Sequence, residues 1–408
     1  MANSLATISM ITREALRVLT AELHFTNNVN HGYDDEFGRK GAKVGQTINI
    51  RKPARYLGRT GPTLSPESQN ETWVPLVLNQ QYGVDTTFTS AERSLSLDDI
   101  VARVVKPAMI QIANRVDAYG IGLWKQIYNQ VGTPGTAITG GSAGTAIQTM
   151  LNAGVVLDRT LAPRDGERCL VLDPQTQSTL TSNGLNLFNP SSTISEQYKT
   201  GQITEALGYG IYMDQNSIGF TNGTYAGSPV VTAAQSGASV ATTGWTSASL
   251  SFVGGEVFTM AGVFAVNPQT KAVLPVLQQF VVMAPVVDTT GAATISISPA
   301  IIATGSLQNV SNLPGATIPA AIVVSGATGA ATQLSMAFHK DAFVIGTGAL
   351  EVPRGIHSGA VETDPETGLS IRLLEVYDPV RDLMICRTDI LFGFSTLYEQ
   401  LACRVATS

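Results

Sequence analysis

Charge is nearly absent from one long stretch of this chain. Between Ser217 and Ala337 the only charged side chains are Glu256, Lys271 and Asp288, although the whole sequence carries 25 Lys+Arg and 31 Asp+Glu. Such a segment reads as a unit inserted into a host built to different rules. Mixed-charge sequence resumes at Phe338-His339-Lys340-Asp341-Ala342-Phe343. Cysteine is scarce as well. Cys169, Cys386 and Cys403 form no CxxC pair, which excludes the common zinc and thiol-redox motifs and fits a reducing compartment. The four histidines, His24, His31, His339 and His357, fall in no metal-ligand spacing, and His31 beside Asp34-Asp35-Glu36 reads as a solvated acidic turn. Long apolar runs are missing too. The longest lies near Phe280–Val287, far short of the roughly 20 residues of a membrane span. Met1 to Met10 has neither a basic start nor a long apolar core, so no signal peptide is expected.

The usual catalytic motifs are also missing: no P-loop, HExxH, dinucleotide fingerprint or EF-hand occurs. Gly140-Gly141-Ser142-Ala143-Gly144 satisfies GxSxG. Its flanks are Gly, Thr and Ala, not the strand and helix that a nucleophile elbow needs. Asp364-Pro-Glu366-Thr-Gly368 reads as a hairpin tip and not as a calcium loop. No catalytic, cofactor or metal residue is expected, and the protein is read as no enzyme. A net charge of −6 without a basic stripe sets aside a dedicated nucleic-acid binder.

What is present suits extended contact surfaces. Apolar content of 44% supports large cores over two to four domains, and 39 glycines fit a turn-rich β protein. Leu5, Ile8, Ile11, Ala15, Val18, Leu19 and Leu23 predict an amphipathic helix over residues 4–23. Gln46–Lys52 and Thr72–Leu78, continuing to Phe88, predict two strands around the turn-rich Gly58–Pro66, with Pro75 at an edge or bulge. Together they describe a long two-stranded loop, too slight to stand alone in water. A helical stripe runs from Leu97 to Ile127, with a kink or break expected at Pro107. Further on, a helix is predicted over 145–160, a buried strand over Arg168–Asp173, and a helix or turn opening at Pro174. The charge-poor stretch has the short apolar bursts of a small β-barrel. Leu369–Tyr377, Leu383–Phe392 and Thr396–Val405 read as closing strands.

From Phe37 to Pro66 the chain carries Arg39, Lys40, Lys43, Arg51, Lys52, Arg55 and Arg59 and no acid. A solvated basic hairpin would look like this. So would a basic arm steered onto an acidic surface of a neighbouring copy. Arg51, Lys52, Arg55 and Arg59 are the candidate inter-subunit contacts, and Asp98 and Asp99 the candidate acidic counterparts. Only Tyr56 could stack on a base, so this arm is not read as a nucleic-acid binder.

Several pieces, in one order, resemble a known family. Glu256-Val-Phe-Thr-Met-Ala-Gly-Val-Phe-Ala-Val-Asn-Pro-Gln-Thr-Lys271, Leu277-Gln-Gln-Phe-Val-Val282 and Ile295-Ser-Ile-Ser-Pro299 resemble the insertion domain of major capsid proteins of short-tailed, Salmonella-type double-stranded DNA phages. Ala337–Phe343 resembles the segment that follows that insertion. Asp389–Gly393 and Leu397–Ala402 resemble the C-terminal strands, and Leu97–Ile100 with Lys106-Pro107-Ala108 the start of the spine helix. The resemblance implies an α+β, Hong Kong 97-type capsid fold with an inserted small β-barrel. It implies an N-terminal arm over 1–35, an extended loop over 45–90, and a peripheral domain with spine helix over 91–134. An axial domain over 135–216 and an insertion barrel over 217–337 follow, the peripheral and axial domains each completed by part of 340–408. The implied role is a self-assembling shell protein of an icosahedral head enclosing double-stranded DNA. Its partners would be itself in hexamers and pentamers, a scaffolding protein, a portal, and packaged DNA held non-specifically, with no membrane and no cofactor. Assembly would take place in the host bacterial cytoplasm. Residues 217–255 carry no charge, so contacts made there are expected to be apolar or through backbone. Lys52 alone does not imply a covalent cross-link. The alternative reading is a β-rich adhesin or tail-associated binding protein.

Overall fold

A computed structural model of the chain describes residues 8–32, 47–59, 61–64, 66–67, 71–89, 105–140, 145–184, 203, 205–315, 319–364, 367–381 and 383–407. The chain divides into two compact units. One comprises residues 1–51, 73–121 and 343–397, and the other 52–72, 122–342 and 398–408.

Among the described residues the first unit holds a five-stranded antiparallel sheet and two α-helices. Its longest strand, Leu383–Thr396, pairs along one edge with Gln80–Thr89. Along the other edge it pairs with Ser370–Asp378 and then with Phe343–Gly348; Ser358–Thr363 adds the outer strand. Helix α1 (Ile8–Glu22) buries Thr12, Ala15, Leu16, Val18 and Leu19, the three-to-four spacing of one helical face. Helix α2 (Lys106–Ile121) buries Met109, Ile112, Ala113, Val116 and Asp117. A change of helix type falls where the kink or break at Pro107 is expected: Val105 is π-helical and α2 follows from Lys106. The stripe residues 97–104 lie outside the described residues.

A buried carboxylate ties the N-terminal segment to α2. Asp117 Oδ2 accepts the backbone N–H groups of His24 at 2.7 Å and Phe25 at 3.2 Å, and Oδ1 that of Thr26 at 2.9 Å. Phe25 then packs between Phe343 and Phe394, ring centroids 5.5 and 6.3 Å away. A Cβ at Gly120 would lie 2.6 Å from the Phe25 ring, so the close approach needs a glycine there.

The second unit holds a seven-stranded mixed sheet and a barrel. The sheet order is Gln130–Val131, Ala402–Thr407, Ala331–His339, Arg168–Leu172, Tyr209–Met213 and Glu205–Ala206. Ile218–Thr221 also pairs with Ala331–His339. Helices α3 (Ala146–Arg159) and α4 (Pro174–Gly184) belong to the same unit. Asp173 caps α4 by accepting the Thr176 N–H at 3.0 Å, and Pro174 occupies the first helical position, as Asp-Pro dictates.

Six strands close into the barrel, in the order Gly237–Trp245, Ala292–Ile301, Val273–Val282, Val257–Val266, Ala320–Val324 and Gly227–Val231. Its core includes Val240, Trp245, Phe252, Phe258, Met260, Phe280, Ile295 and Ile297. The strands flanking it, Ile218–Thr221 and Ala331–His339, are paired antiparallel with Ala331 opposite Thr221, so the chain leaves and rejoins the sheet at one place. The expected mixed α+β architecture is what the structure has, and the closed barrel between these two strands is compatible with an insertion.

All three charges of the charge-poor stretch turn inward to backbone. Glu256, fully buried, accepts the N–H groups of Gly223, Val253 and Gly254 at 2.9–3.0 Å. Asp288 accepts those of Leu250, Ala248 and Gly291, bonds that hold its carboxyl below the ordinary value, Leu250 contributing most. The Lys271 ammonium donates to the carbonyls of Pro268, Ser306 and Gln308 at 2.8, 2.7 and 3.3 Å.

Candidate inter-subunit contact surface

The extended loop starts as an edge ribbon. Among the described residues Thr47–Lys52 and Thr72–Val77 form a two-stranded sheet, and each buries one apolar side chain, Ile50 and Leu76. Pro75 is tolerated because a two-stranded ribbon has a free edge for a residue that cannot donate. The ribbon rests on the first unit's long strand. Ser395 Oγ donates to the Pro75 carbonyl at 3.1 Å. A Cβ at Gly393 would stand 1.9 Å from the Val77 carbonyl oxygen, so glycine lets the two backbones meet.

The four candidate cations have different surroundings. Arg51 is exposed on the first strand of the ribbon. Lys52 is half-buried with its ammonium 5.3 Å from the centre of the Tyr398 ring, and burial, partly offset by the Glu399 charge, holds its pKa down. Arg55 donates to Gln400 Oε1 at 2.9 Å. Arg59 turns back into the tip, donating to the carbonyls of Gly61 and Thr63. The structure therefore brings Lys52 and Arg55 together on the Tyr398–Gln400 segment, beside a cleft of about 260 Å³. Arg59 bonds the tip backbone through Nη1. The counterparts Asp98 and Asp99 lie outside the described residues.

Sequence reasoning missed the apolar character of the tip. Leu64 is 80% exposed and Trp73 65%, with Tyr56 and Leu57 about half exposed. The signal was available for Tyr56, Leu57 and Leu64, which stand among turn formers and cations where no core could hold them, whereas Trp73 is on the second ribbon strand.

Nothing in the described residues gathers into a reactive centre. No group of three or more His, Cys, Asp or Glu side chains there could hold a metal. Burial pushes the Cys169 and Cys403 thiols up to about 12 and Cys386 to about 11, which leaves them unreactive. His31 Nε2 bonds the Thr26 carbonyl oxygen, and buried His339 sits 3.0 Å from Asp165. Ser142 and the Asp34-Asp35-Glu36 turn lie outside the described residues. Among the described residues no helix is long and apolar enough to cross a membrane.

The family described as "P22 coat protein - gene protein 5" matches residues 3–402. The chain belongs to this coat-protein family. Its role is that of a structural major capsid protein of a bacteriophage, with its place in the virion shell, and the adhesin reading is not favoured. The Hong Kong 97-type capsid fold goes with that membership. The coat protein is also similar in structure to a chain of Mycobacterium phage Che8, at 13% identity and a TM-score of 0.45, covering 94% of this chain and 90% of that one. Similar too are the capsid of cyanophage P-SCSP1u (10% identity, TM-score 0.43, covering 89% and 84%) and the mature capsid of bacteriophage PhiM1 (11%, 0.40, covering 90% and 83%). No curated protein matches the chain.

Proposed function

We propose that copies of this coat protein join as hexamers and pentamers into an icosahedral head around double-stranded DNA, with the extended loop as the arm that grips a neighbour. The observation that carries this reading is the loop itself. An arm of seven cations and no acid between residues 37 and 66 displays exposed Tyr56, Leu57 and Leu64. Apolar area displayed beside like charges is unfinished as a monomer surface and complete once another surface covers it. Arg51, Lys52, Arg55 and Arg59 would be steered towards Asp98 and Asp99 of the neighbouring copy. The insertion barrel over 217–337 would form a unit of its own on this host, alongside the arm, peripheral and axial domains bounded as above. Assembly takes place in the host bacterial cytoplasm with a scaffolding protein and a portal. The mild net acidity keeps the inner wall from gripping packaged phosphates, which are held non-specifically. The role asks for no catalysis, cofactor or membrane.

The test is the triple variant Arg51→Glu, Arg55→Glu, Arg59→Glu. Its subunits fold with the wild-type circular dichroism spectrum, and its shells, read by sedimentation and electron microscopy, fall about tenfold or more in yield. Shells at wild-type yield would remove the electrostatic arm.

A further inference from the structure

A second and larger cleft, of about 380 Å³, opens in the unit that carries the barrel. Helix α3 supplies Asn152, Val155 and Arg159, the barrel supplies Leu277 and Gln278, and the extended loop supplies Arg55. No carboxylate lines it. Lys271 stands directly behind the wall, bonded to the carbonyls of Pro268 and Gln308, which both line the cleft. Burial, and then the nearby charge of Arg55, hold the Lys271 ammonium below its ordinary pKa. The acid next to Arg159 on the helix, Asp158, is already held by Arg164 and, at 2.8 Å, by Arg168. Arg55 and Arg159 thus line the cleft and Lys271 stands behind it, while the carboxylate whose charge reaches Tyr128 of the lining, Glu399, is bonded to Ser298.

We propose that this cleft receives a carboxylate-bearing segment of a second copy of this chain, the run Tyr33-Asp34-Asp35-Glu36-Phe37. The proposal rests on the reading of the chain as a self-assembling coat protein. Charge selects an anion. The walls select its kind, because Val155 and Leu277 offer apolar contact and the amides of Asn152 and Gln278 bond carboxylates and peptide groups alike. A peptide with aromatic residues between or beside its acids satisfies both walls. A bare phosphate satisfies the arginines and the amide N–H donors but leaves Val155 and Leu277 uncovered. The sequence contains one run of three successive carboxylates, and aromatic residues flank it on both sides. Side-chain fork geometry adds specificity, since Arg159 can take a carboxylate through two parallel bonds.

The test uses the full chain with Arg159→Cys and Asp35→Cys together, oxidised after assembly, beside each single variant. A ladder of covalent oligomers on a non-reducing gel, missing from both singles, is the expected result. A link within one chain, or no link in well-formed shells, overturns the proposal and leaves the coat reading standing. Wild-type protein that forms no shell with a scaffolding protein present overturns both. Charge reversal gives an independent readout. Arg159→Glu lowers shell yield about tenfold, and adding Asp35→Arg restores it. Shells at normal yield that lose packaged DNA would assign the cleft to phosphates and overturn the proposal.

Discussion

In the barrel, Glu256, Lys271 and Asp288 face backbone groups, nine polar contacts between three side chains and the loops that close the strands. In the five-stranded sheet, charges face one another. Arg372 and Asp389 are directly opposed on neighbouring strands with Nη2 and Oδ2 2.6 Å apart, and Arg387 adds a bond to the same carboxylate at 2.8 Å. Gly83 faces Asp389 across the other edge, and a Cβ there would stand 2.5 Å from Oδ1, so the glycine keeps room for the carboxylate. A barrel that must end many strands in few residues uses a lone charge as a bundle of acceptors or donors. A sheet whose strands already pair uses charge to fix which strands are neighbours. This accounts for how a stretch with three charges can still depend on each of them.

The comparison breaks first at Glu256. Glu256→Leu leaves the buried N–H groups of Gly223 and Gly254, and that of Val253, without an acceptor, where water cannot follow. A loss of about 4 kcal/mol is expected in urea unfolding of the subunit followed by tryptophan fluorescence. A loss below about 1 kcal/mol would mean that the carboxylate is not what ends those strands. Asp389→Leu should cost about 3 kcal/mol, because two guanidinium groups lose their partner. Adding Arg372→Met should return most of it, since charges that serve each other can be removed together. No second change should rescue Glu256→Leu, whose partners are backbone.

The same contrast sets what could be read from the sequence. The charge gap marked the barrel, and Asp173-Pro174 marked the start of α4, because each rests on local chemistry. The amphipathic spacing of α1 was legible for the same reason. The ends of the long ribbon were not. The predicted second strand ran from Thr72 to Phe88, whereas the chain breaks after Val77 and Gln80–Thr89 joins another sheet. Only the distant Leu383–Thr396 strand makes that division. Arg404 was unreadable too. It is buried, its Nη1 donates to the Gly255 carbonyl at 2.7 Å, and it lies 5.3 Å from the Trp124 ring. Nothing local in Cys403-Arg404-Val405 announces a neighbour 149 positions away. Of the candidate contacts, the basic arm was visible as composition. The division of labour among Lys52, Arg55 and Arg59 depends on Tyr398, Gln400 and the tip backbone, which composition does not show.

Acid sharpens the comparison with smaller effects. Asp158 is held down to about 2, chiefly by its hydrogen bond from Arg164, and Asp288 is held down chiefly by the Leu250 N–H. Both carboxyls have folded-state pKa values below their unfolded values. Each contribution is therefore complete above about pH 4 and disappears as pH falls through the folded value, near 2 for Asp158. Salt should separate them. In 1 M salt the part of the acid sensitivity removed by Asp158→Asn that exposed Arg164 supplies shrinks, while buried Arg168 keeps its share. The sensitivity removed by Asp288→Asn stays, because backbone dipoles at hydrogen-bond distance are not screened. Equal salt dependence in acid titrations of the two variants would merge the classes.

Lys271 gives the smallest effect and the finest test. Its backbone is left-handed, φ 59°, a conformation that costs a side-chain-bearing residue about 1 kcal/mol. Its ammonium holds three carbonyls, but Pro268, Ser306 and Gln308 are only half-buried, so water can replace it. Lys271→Ala loses the ammonium and keeps the strain. Lys271→Gly loses the ammonium and relieves the strain. The glycine variant should therefore be the more stable by about 1 kcal/mol and lie close to wild type in urea unfolding. If both variants instead fall together by several kcal/mol, water does not reach those carbonyls. Lys271 would then match Glu256 in weight, and each charge in the barrel would close its own turn equally.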